Sequence, residues 1–339
     1  MISPVARGIA HHKRQLSGIV SRAGNSLIHR FSAIRAIPPA VYSQMASTNS
    51  RNESFTRDRL FDLKGHVALV TGGGSGIGLM ATQALVANGA KVYITGRTKE
   101  KLDRVAEQYS QGKDSIVPIQ CDVTDKAQIA NLVKEVSAKE DCLCILINNA
   151  GISGSTLQTE AESAEEMKKN LFDSDKSTVE DWTDVYRTNV AQVYFATTAF
   201  LPLLQKSSDK FHGWSGTVIN ISSISGLVKS SQHHFAYNAS KAAAIHLTRM
   251  LAAETAGNKL KIRINSIAPG VFPSEMTTEG SNENQKSHIE REKYAEKVPA
   301  GRPGKDEDMA QTVLFFAVNQ YLNGQTLAVD GGYTLAAGQ

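Results

Sequence analysis

From about residue 59 the chain alternates short apolar runs with longer stretches of helical period. HVALV (66–70) precedes a glycine-rich turn, and behind it Ile77, Met80, Ala81, Ala84 and Leu85 recur at the i, i+3, i+4, i+7, i+8 spacing of one helix face, up to a stop at Asn88-Gly89. KVYIT (91–95) predicts a second strand and 98–110 a polar helix. SIVPIQCDV (115–123) predicts a third strand, 125–138 a helix, and CLCILINNAG a fourth strand. A helix is expected over 178–205, with Ser177-x-x-Glu180 as its capping box. GTVINIS (216–222), KIRINSIAPG (261–270) and TLAVDGG (326–332) predict three more strands, separated by helices at 236–257 and 306–317.

Strands that alternate with helices of ten or more residues require crossover connections. The prediction is therefore an α/β fold: one doubly wound parallel sheet covered on both faces, a single domain over 56–339, with its ligand site at the carboxyl ends of the strands. Two long polar connections interrupt this pattern, at 152–177 and 273–298. Both follow strand ends and are expected over the site, the second as a lid entered through Pro269, Gly270 and Pro273.

The charge is unevenly spread over the 339 residues. Residues 1–52 hold seven Lys/Arg and no Asp or Glu, which leaves −3 on the rest of a +4 chain. A basic tail on a slightly acidic body does not suggest a nucleic-acid binder. The tail has the composition of a mitochondrial presequence, which implies a matrix protein; the alternatives are a disordered extension or a start at Met45, which imply a cytoplasmic one. No apolar run is long enough to span a membrane. Three sparse cysteines, Cys121, Cys142 and Cys144, argue for a reducing compartment, and neither they nor the paired histidines stand at metal-ligand spacing, so no metal is expected.

Val70-Thr71-Gly72-Gly73-Gly74-Ser75-Gly76-Ile77-Gly78 joins the first strand to the first helix. Glycine there permits a tight turn and close approach to a pyrophosphate, which the helix N-terminus then attracts. The second strand ends in Gly96-Arg97-Thr98. An acid at that point would bind the ribose hydroxyls of NAD; its absence, with Arg97 available to a 2′-phosphate, favours NADP(H). Asp122 and Val123 end the third strand, where Asp122 is placed to accept from the adenine amine.

Tyr237-Asn238-Ala239-Ser240-Lys241 sets a tyrosine and a lysine one helical turn apart. A phenol titrates near ~10, and bringing it near neutrality costs about 4 kcal/mol. One ammonium at ~4 Å in an intermediate dielectric supplies about that much. Tyr237 is thus a candidate general acid in reduction and general base in oxidation. Ser223, or its neighbour Ser222, ends the preceding strand and would orient a carbonyl; position favours Ser223. Asn189 lies on the preceding helix, where an amide could hold a water that links Lys241 to solvent.

TGGGSGIG, CDV, NNAG, Asn189-Val190, ISS, YNASK, IAPG and VDGG occur in an order that resembles the single-domain branch of the short-chain dehydrogenase/reductase family, over about 60–335. Among its members the chain looks most like fungal enzymes grouped with 3-oxoacyl carrier-protein reductases. The resemblance implies a Rossmann fold, a catalytic tetrad of Asn189, Ser223, Tyr237 and Lys241, and assembly as a homodimer or homotetramer through the helices of Asn189 and Tyr237. It implies a cofactor surrounded by Gly72, Gly74, Ser75, Gly76, Ile77, Gly78, Arg97, Asp122, Val123, Asn149, Ala150 and Gly151, with Lys241 and Tyr237 at the nicotinamide ribose and Pro269, Gly270 and Val271 at its carboxamide. The Ser223–Tyr237 separation is one residue longer than the family's usual spacing, and the 152–177 connection is long for it.

The expected activity is NADPH-dependent reduction of a 3-oxoacyl or related small-molecule carbonyl. A polyol or secondary-alcohol dehydrogenase with the same tetrad is the second reading. A catalytically silent NADP-binding sensor would lack Tyr, Lys or Ser, and a longer-branch epimerase would have more chain after the tyrosine. Val228, Ser231, His233, Phe235, Phe272 and Met276 are candidate pocket residues.

Overall fold

Strand β1 (Val67–Thr71) is buried at every position, as are β4 (Ile145–Asn148), β5 (Gly216–Ile221) and β6 (Ile262–Pro269). Only a strand covered on both faces reads as such a continuous run, which is the mark of a parallel sheet between two helical layers. With β2 (Lys91–Gly96), β3 (Ile116–Gln120) and β7 (Thr326–Val329) they form one seven-stranded sheet in the order β3-β2-β1-β4-β5-β6-β7. Every pairing is parallel. The order reverses between β1 and β4, and the crevice of a doubly wound sheet opens there. The computed structural model describes residues 52–278, 280–290, 292 and 298–338. Thr56–Gln339 forms one unit. Most of the basic extension lies outside the described residues, and with it the presequence reading, as does part of the 273–298 connection.

Between the strands lie α1 (Gly76–Ala87), α2 (Lys99–Tyr109) and α3 (Lys126–Ser137), then α4 (Ala164–Leu171), α5 (Val179–Tyr186) and α6 (Gln192–Lys210), and then α7 (Phe235–Gly257) and α8 (Asp306–Val318); α9 (Tyr333–Ala337) follows β7. No helix among the described residues is long and apolar enough to cross a membrane. Helix α1 ends where expected, with Gly89 at φ +95. Its buried residues extend beyond one stripe, because α1 is sandwiched between the sheet and α8 in the same core.

Two local expectations change. The helix expected over 178–205 is α5 and α6 joined by a π turn, Arg187–Ala191. Its cap is Thr178, not Ser177: Thr178 has the extended backbone of an N-cap and its hydroxyl accepts from the Asp181 amide. The 152–177 connection is not all loop. It contains α4, opened by Ser163, whose hydroxyl accepts from the Glu166 amide while the Glu166 carboxylate accepts from the Glu162 amide. No residue of α4 is buried, so it leaves no apolar stripe to read.

Arg263 on β6 ties α8 to the sheet. It is 4% exposed and donates to the Phe316 and Ala317 carbonyls at the end of α8 and to the Leu322 carbonyl just beyond it. Burial pulls its guanidinium down to about 10. Arg263→Met keeps the stem and orphans those carbonyls, so it should lower the unfolding free energy by about 2–3 kcal/mol in urea denaturation; a loss below ~0.5 kcal/mol would show the carbonyls satisfied without the guanidinium.

Candidate active site

The carboxyl ends of β1 to β6 open onto one cleft of about 580 Å³, within the range of small-molecule sites. Its floor on the β1 side is the glycine loop. Gly72 and Gly76 have φ +65 and +53, left-handed conformations that disfavour a side chain. A Cβ at Gly72 would stand 2.9 Å from the Asn149 amide nitrogen, and one at Gly78 only 2.1 Å from the Gly72 carbonyl oxygen. The two glycines therefore act differently. Gly72, Gly74, Ser75, Gly76 and Ile77 line the cleft, whereas Gly78 lets α1 press against the loop from behind.

Asn149 anchors that loop. Its amide donates to the Thr71 and Gly72 carbonyls at 3.0 and 3.1 Å. The Thr71 hydroxyl accepts in return from the Asn149 and Ala150 backbone amides. Thr71 is fully buried and went unremarked in the sequence, although it stands directly before the glycines. Asn149, Ala150 and Gly151 line the cleft beside it. Below them runs a buried chain that the sequence did not reveal: Asn148 donates to Thr197 and Asn220, and Asn220 to Thr248. It fastens β4 and β5 to α6 and α7.

Arg97, Asp122 and Val123 form the far end of the cleft. Arg97 is exposed, and among the described residues no carboxylate pairs with its guanidinium. One oxygen of Asp122 accepts from the Thr124 amide and hydroxyl, which fixes the turn after β3.

At the near end stand Ser223, Tyr237 and Lys241, with Pro269 and Gly270 across from them. The two serines separate clearly. Ser222 is tied to Ser266 at 2.7 Å and donates to the Ile267 carbonyl at 2.9 Å, which anchors β5 to β6. Ser223 accepts from the Ser225 amide and hydrogen-bonds Tyr237. Lys241 is 5% exposed; its ammonium donates to the Ile221 carbonyl at 3.0 Å and lies 5.5 Å from the centre of the Tyr237 ring. Burial pushes the Tyr237 phenol above its ordinary range, opposed by the bond from Ser223. Burial also pulls Lys241 down to about 8. This reverses the direction expected from the Tyr–Lys spacing: burial keeps the phenol neutral instead of bringing its ionisation toward neutral pH.

Asn189 belongs to the π turn, a distortion that often marks functional positions. Its amide nitrogen donates to the Ile152 carbonyl and to Ser240, and its oxygen accepts from the Ile152 amide. Ser240 in turn donates to the Tyr237 carbonyl. These bonds engage both N–H groups and the oxygen of the amide with protein. Ser240, one helical turn from Tyr237, is the link missed in sequence. Gly151 gives the cluster room, since a Cβ there would lie 3.0 Å from the Asn189 oxygen and 3.5 Å from the Lys241 nitrogen.

Some candidates sit elsewhere. Val271 lines a separate cavity beside Arg302 and Asp308. Phe272 is 2% exposed and packs in the core, with only an edge on the cleft, while Met276 borders the cleft and is exposed. Val228, Ser231, His233 and Phe235 are not among the cleft residues. Gln232 and His233 both have positive φ, and this turn aims His233 at the 152–177 connection, where it bonds Thr159 and the Leu157 carbonyl.

Residues 66–285 match the family model described as short chain dehydrogenase. The chain is 39% identical over 278 residues to the short-chain dehydrogenase/reductase PhomF of Diaporthe leptostromiformis, which covers 80% of this chain and 92% of that protein. It is 35% identical over 281 residues to the rhamnolipids biosynthesis 3-oxoacyl-[acyl-carrier-protein] reductase of Pseudomonas aeruginosa, over 81% and 98% of the two chains. The solved RhlG/NADP active-site complex of Pseudomonas aeruginosa superposes with a TM-score of 0.66 at 32% identity, over 81% of this chain and 98% of that one. With a matching family model over most of its length, a parallel sheet of the required order and a Ser–Tyr–Lys cluster at its crevice, the chain belongs to the short-chain dehydrogenase family.

Proposed function

We propose that the protein is an NADP(H)-dependent carbonyl reductase acting on a 3-oxoacyl or related keto substrate. The observation that supports this most is one cleft with Ser223, Tyr237 and Lys241 at one end and Arg97 at the other. The cleft fits a dinucleotide. Gly72, Gly74, Gly76 and Gly151 line it with main chain that carries no side chain, as close approach of a pyrophosphate and ribose requires. Arg97 would hold the 2′-phosphate, the glycine loop and the start of α1 the pyrophosphate, and Lys241 the ribose beside the nicotinamide. When bound, the nicotinamide supplies or accepts the hydride.

The protein's own residues handle the proton. Ser223 donates to the substrate oxygen and orients the carbonyl. Tyr237 gives its proton to that oxygen as negative charge develops, and the Lys241 ammonium stabilises the phenolate left behind. Asn189, through Ser240 and Ile152, holds the start of α7 and the turn after β4 at a fixed separation. The name of the Pseudomonas reductase supports a 3-oxoacyl substrate. Exposed Trp182, Tyr194 and Met250 on α5, α6 and α7 support assembly of a homodimer or homotetramer through those helices.

The decisive assay follows NADPH and NADH oxidation against 3-oxoacyl thioesters, diketones and sugars, and polyol oxidation in reverse. Tyr237→Phe and Ser223→Ala should lose at least ~10²-fold in kcat with cofactor affinity nearly unchanged. Ser222→Ala should retain turnover and lose stability instead. Retained turnover in Tyr237→Phe removes the acid–base assignment, and turnover of polyols alone favours the oxidative dehydrogenase.

The pH dependence follows from burial. The working state for reduction is neutral Tyr237 beside protonated Lys241. With Lys241 pulled down to about 8 and Tyr237 pushed up, the ammonium is lost first as pH rises. The reductive kcat is expected to be level below pH 8 and to fall above it. In Lys241→Arg, whose charge persists, the fall should move to higher pH; an unmoved fall assigns it to another group.

Arg97→Asp places an acid at the end of β2. It should move cofactor preference toward NADH by at least tenfold (on the order of 1.4 kcal/mol) in the ratio of dissociation constants. An unchanged ratio would place the 2′-phosphate elsewhere.

A further inference from the structure

We propose that Lys101 is a second cation for the cofactor's 2′-phosphate, and that Glu275 is a built-in competing anion that holds Lys101 and yields it to that phosphate. This deepens the NADP(H) reading and rests on it. Lys101 lies in the first turn of α2, four residues beyond Arg97, and both side chains line the same end of the cleft. Their situations differ. Arg97 has no carboxylate partner among the described residues, whereas the Lys101 ammonium is 2.6 Å from Glu275.

Glu275 reaches this point from the segment that follows β6. Its neighbour Ser274 lies against the glycine loop: the Ser274 Cβ is 2.9 Å from where a Cβ of Gly76 would be. The Ser281 hydroxyl donates to the same Glu275 oxygen at 2.6 Å. Burial alone would raise the Glu275 carboxyl, but hydrogen bonds from Lys101, Ser281 and Ser75 hold it below its usual range. An ammonium and two hydroxyls around one carboxylate are the donors a phosphate takes. One of them, Ser75, belongs to the glycine loop itself. The carboxylate therefore stands as an anion at the mouth of a phosphate site.

The pair is built to exchange. Its side chains are 38% and 34% exposed, and an ion pair at that exposure contributes little stability of its own. A phosphate carrying nearly two charges, held at the same time by Arg97, is the stronger partner for Lys101. A cofactor without that phosphate does not compete for Lys101 and leaves the pair intact.

The test is fluorescence titration of the purified protein with NADPH and with NADH, without substrate. Lys101→Met, which keeps the stem, should weaken NADPH about tenfold and leave NADH unchanged. Glu275→Gln should tighten NADPH several-fold and leave NADH unchanged. In the double variant the tightening should vanish, because the cation under competition is gone. Unchanged NADH binding also reports that each variant is folded. The proposal is overturned if Glu275→Gln leaves NADPH binding unchanged or weaker, or if Lys101→Met weakens both cofactors alike. A wild type that prefers NADPH, with both single variants silent, overturns this inference alone. A wild type that binds NADH as tightly as NADPH overturns the NADP(H) reading and this inference together.

Discussion

The clasp between Thr71 and Asn149 decides where everything else in the cleft can stand. β1 and β4 are adjacent in the sheet but far apart in sequence, and the clasp joins them just past their last ladder bonds. Asn149 closes over the Thr71 and Gly72 carbonyls, so the glycine loop leaves the sheet at a fixed point. The same exchange sets the direction in which Ala150, Gly151 and Ile152 leave β4. Ile152 then meets Asn189, which meets Ser240, which meets the Tyr237 carbonyl. One polar contact at the switch point thus connects the phosphate loop to the tyrosine. Thr71, Asn189 and Ser240 are buried, and a broken link would strand one of their polar groups at a cost of about 1–3 kcal/mol.

Most of this architecture is legible in the sequence because the sheet is parallel. Strands covered on both faces leave runs such as VALVT and ILIN, and their regular alternation with helices leaves few topologies to choose among. The glycine loop and the Tyr–Lys pair are legible because their chemistry needs particular residue types at short spacing. What escaped has a common cause. Thr71, Asn148, Asn220 and Ser240 are ordinary polar residues whose partners are distant in sequence or backbone carbonyls, and no periodicity marks them. Asn189 stands out in the sequence, but it is not among the cleft-lining residues, and its bonds depend on a π turn that helical spacing does not foretell. Helix α4 escaped because a helix without a buried face carries only its cap as a signal.

Burial is unequal at the two ends of the cleft. Near the tyrosine it disfavours charge on both members of the pair, holding the phenol neutral and weakening the ammonium until each depends on the other. At the other end Arg97 is exposed and Lys101 half-exposed, with the Glu275 carboxylate beside it. The two ends of one cavity thereby have different dielectrics.

The contrast between the two long connections and the glycine loop has an evolutionary consequence. A methyl group added at Gly72 or Gly78 collides with backbone or with the clasp, so the cofactor half has almost no neutral neighbours in sequence space. The 152–177 connection is anchored mainly by exposed or half-exposed hydrogen bonds, such as Ser155 to Asp181 and Thr159 to His233, and α4 contributes nothing to the core. Substitutions, insertions or a different helix there would cost the fold a few tenths of a kcal/mol each. Lineages that carry this scaffold are free to vary that connection while the glycine loop stays fixed.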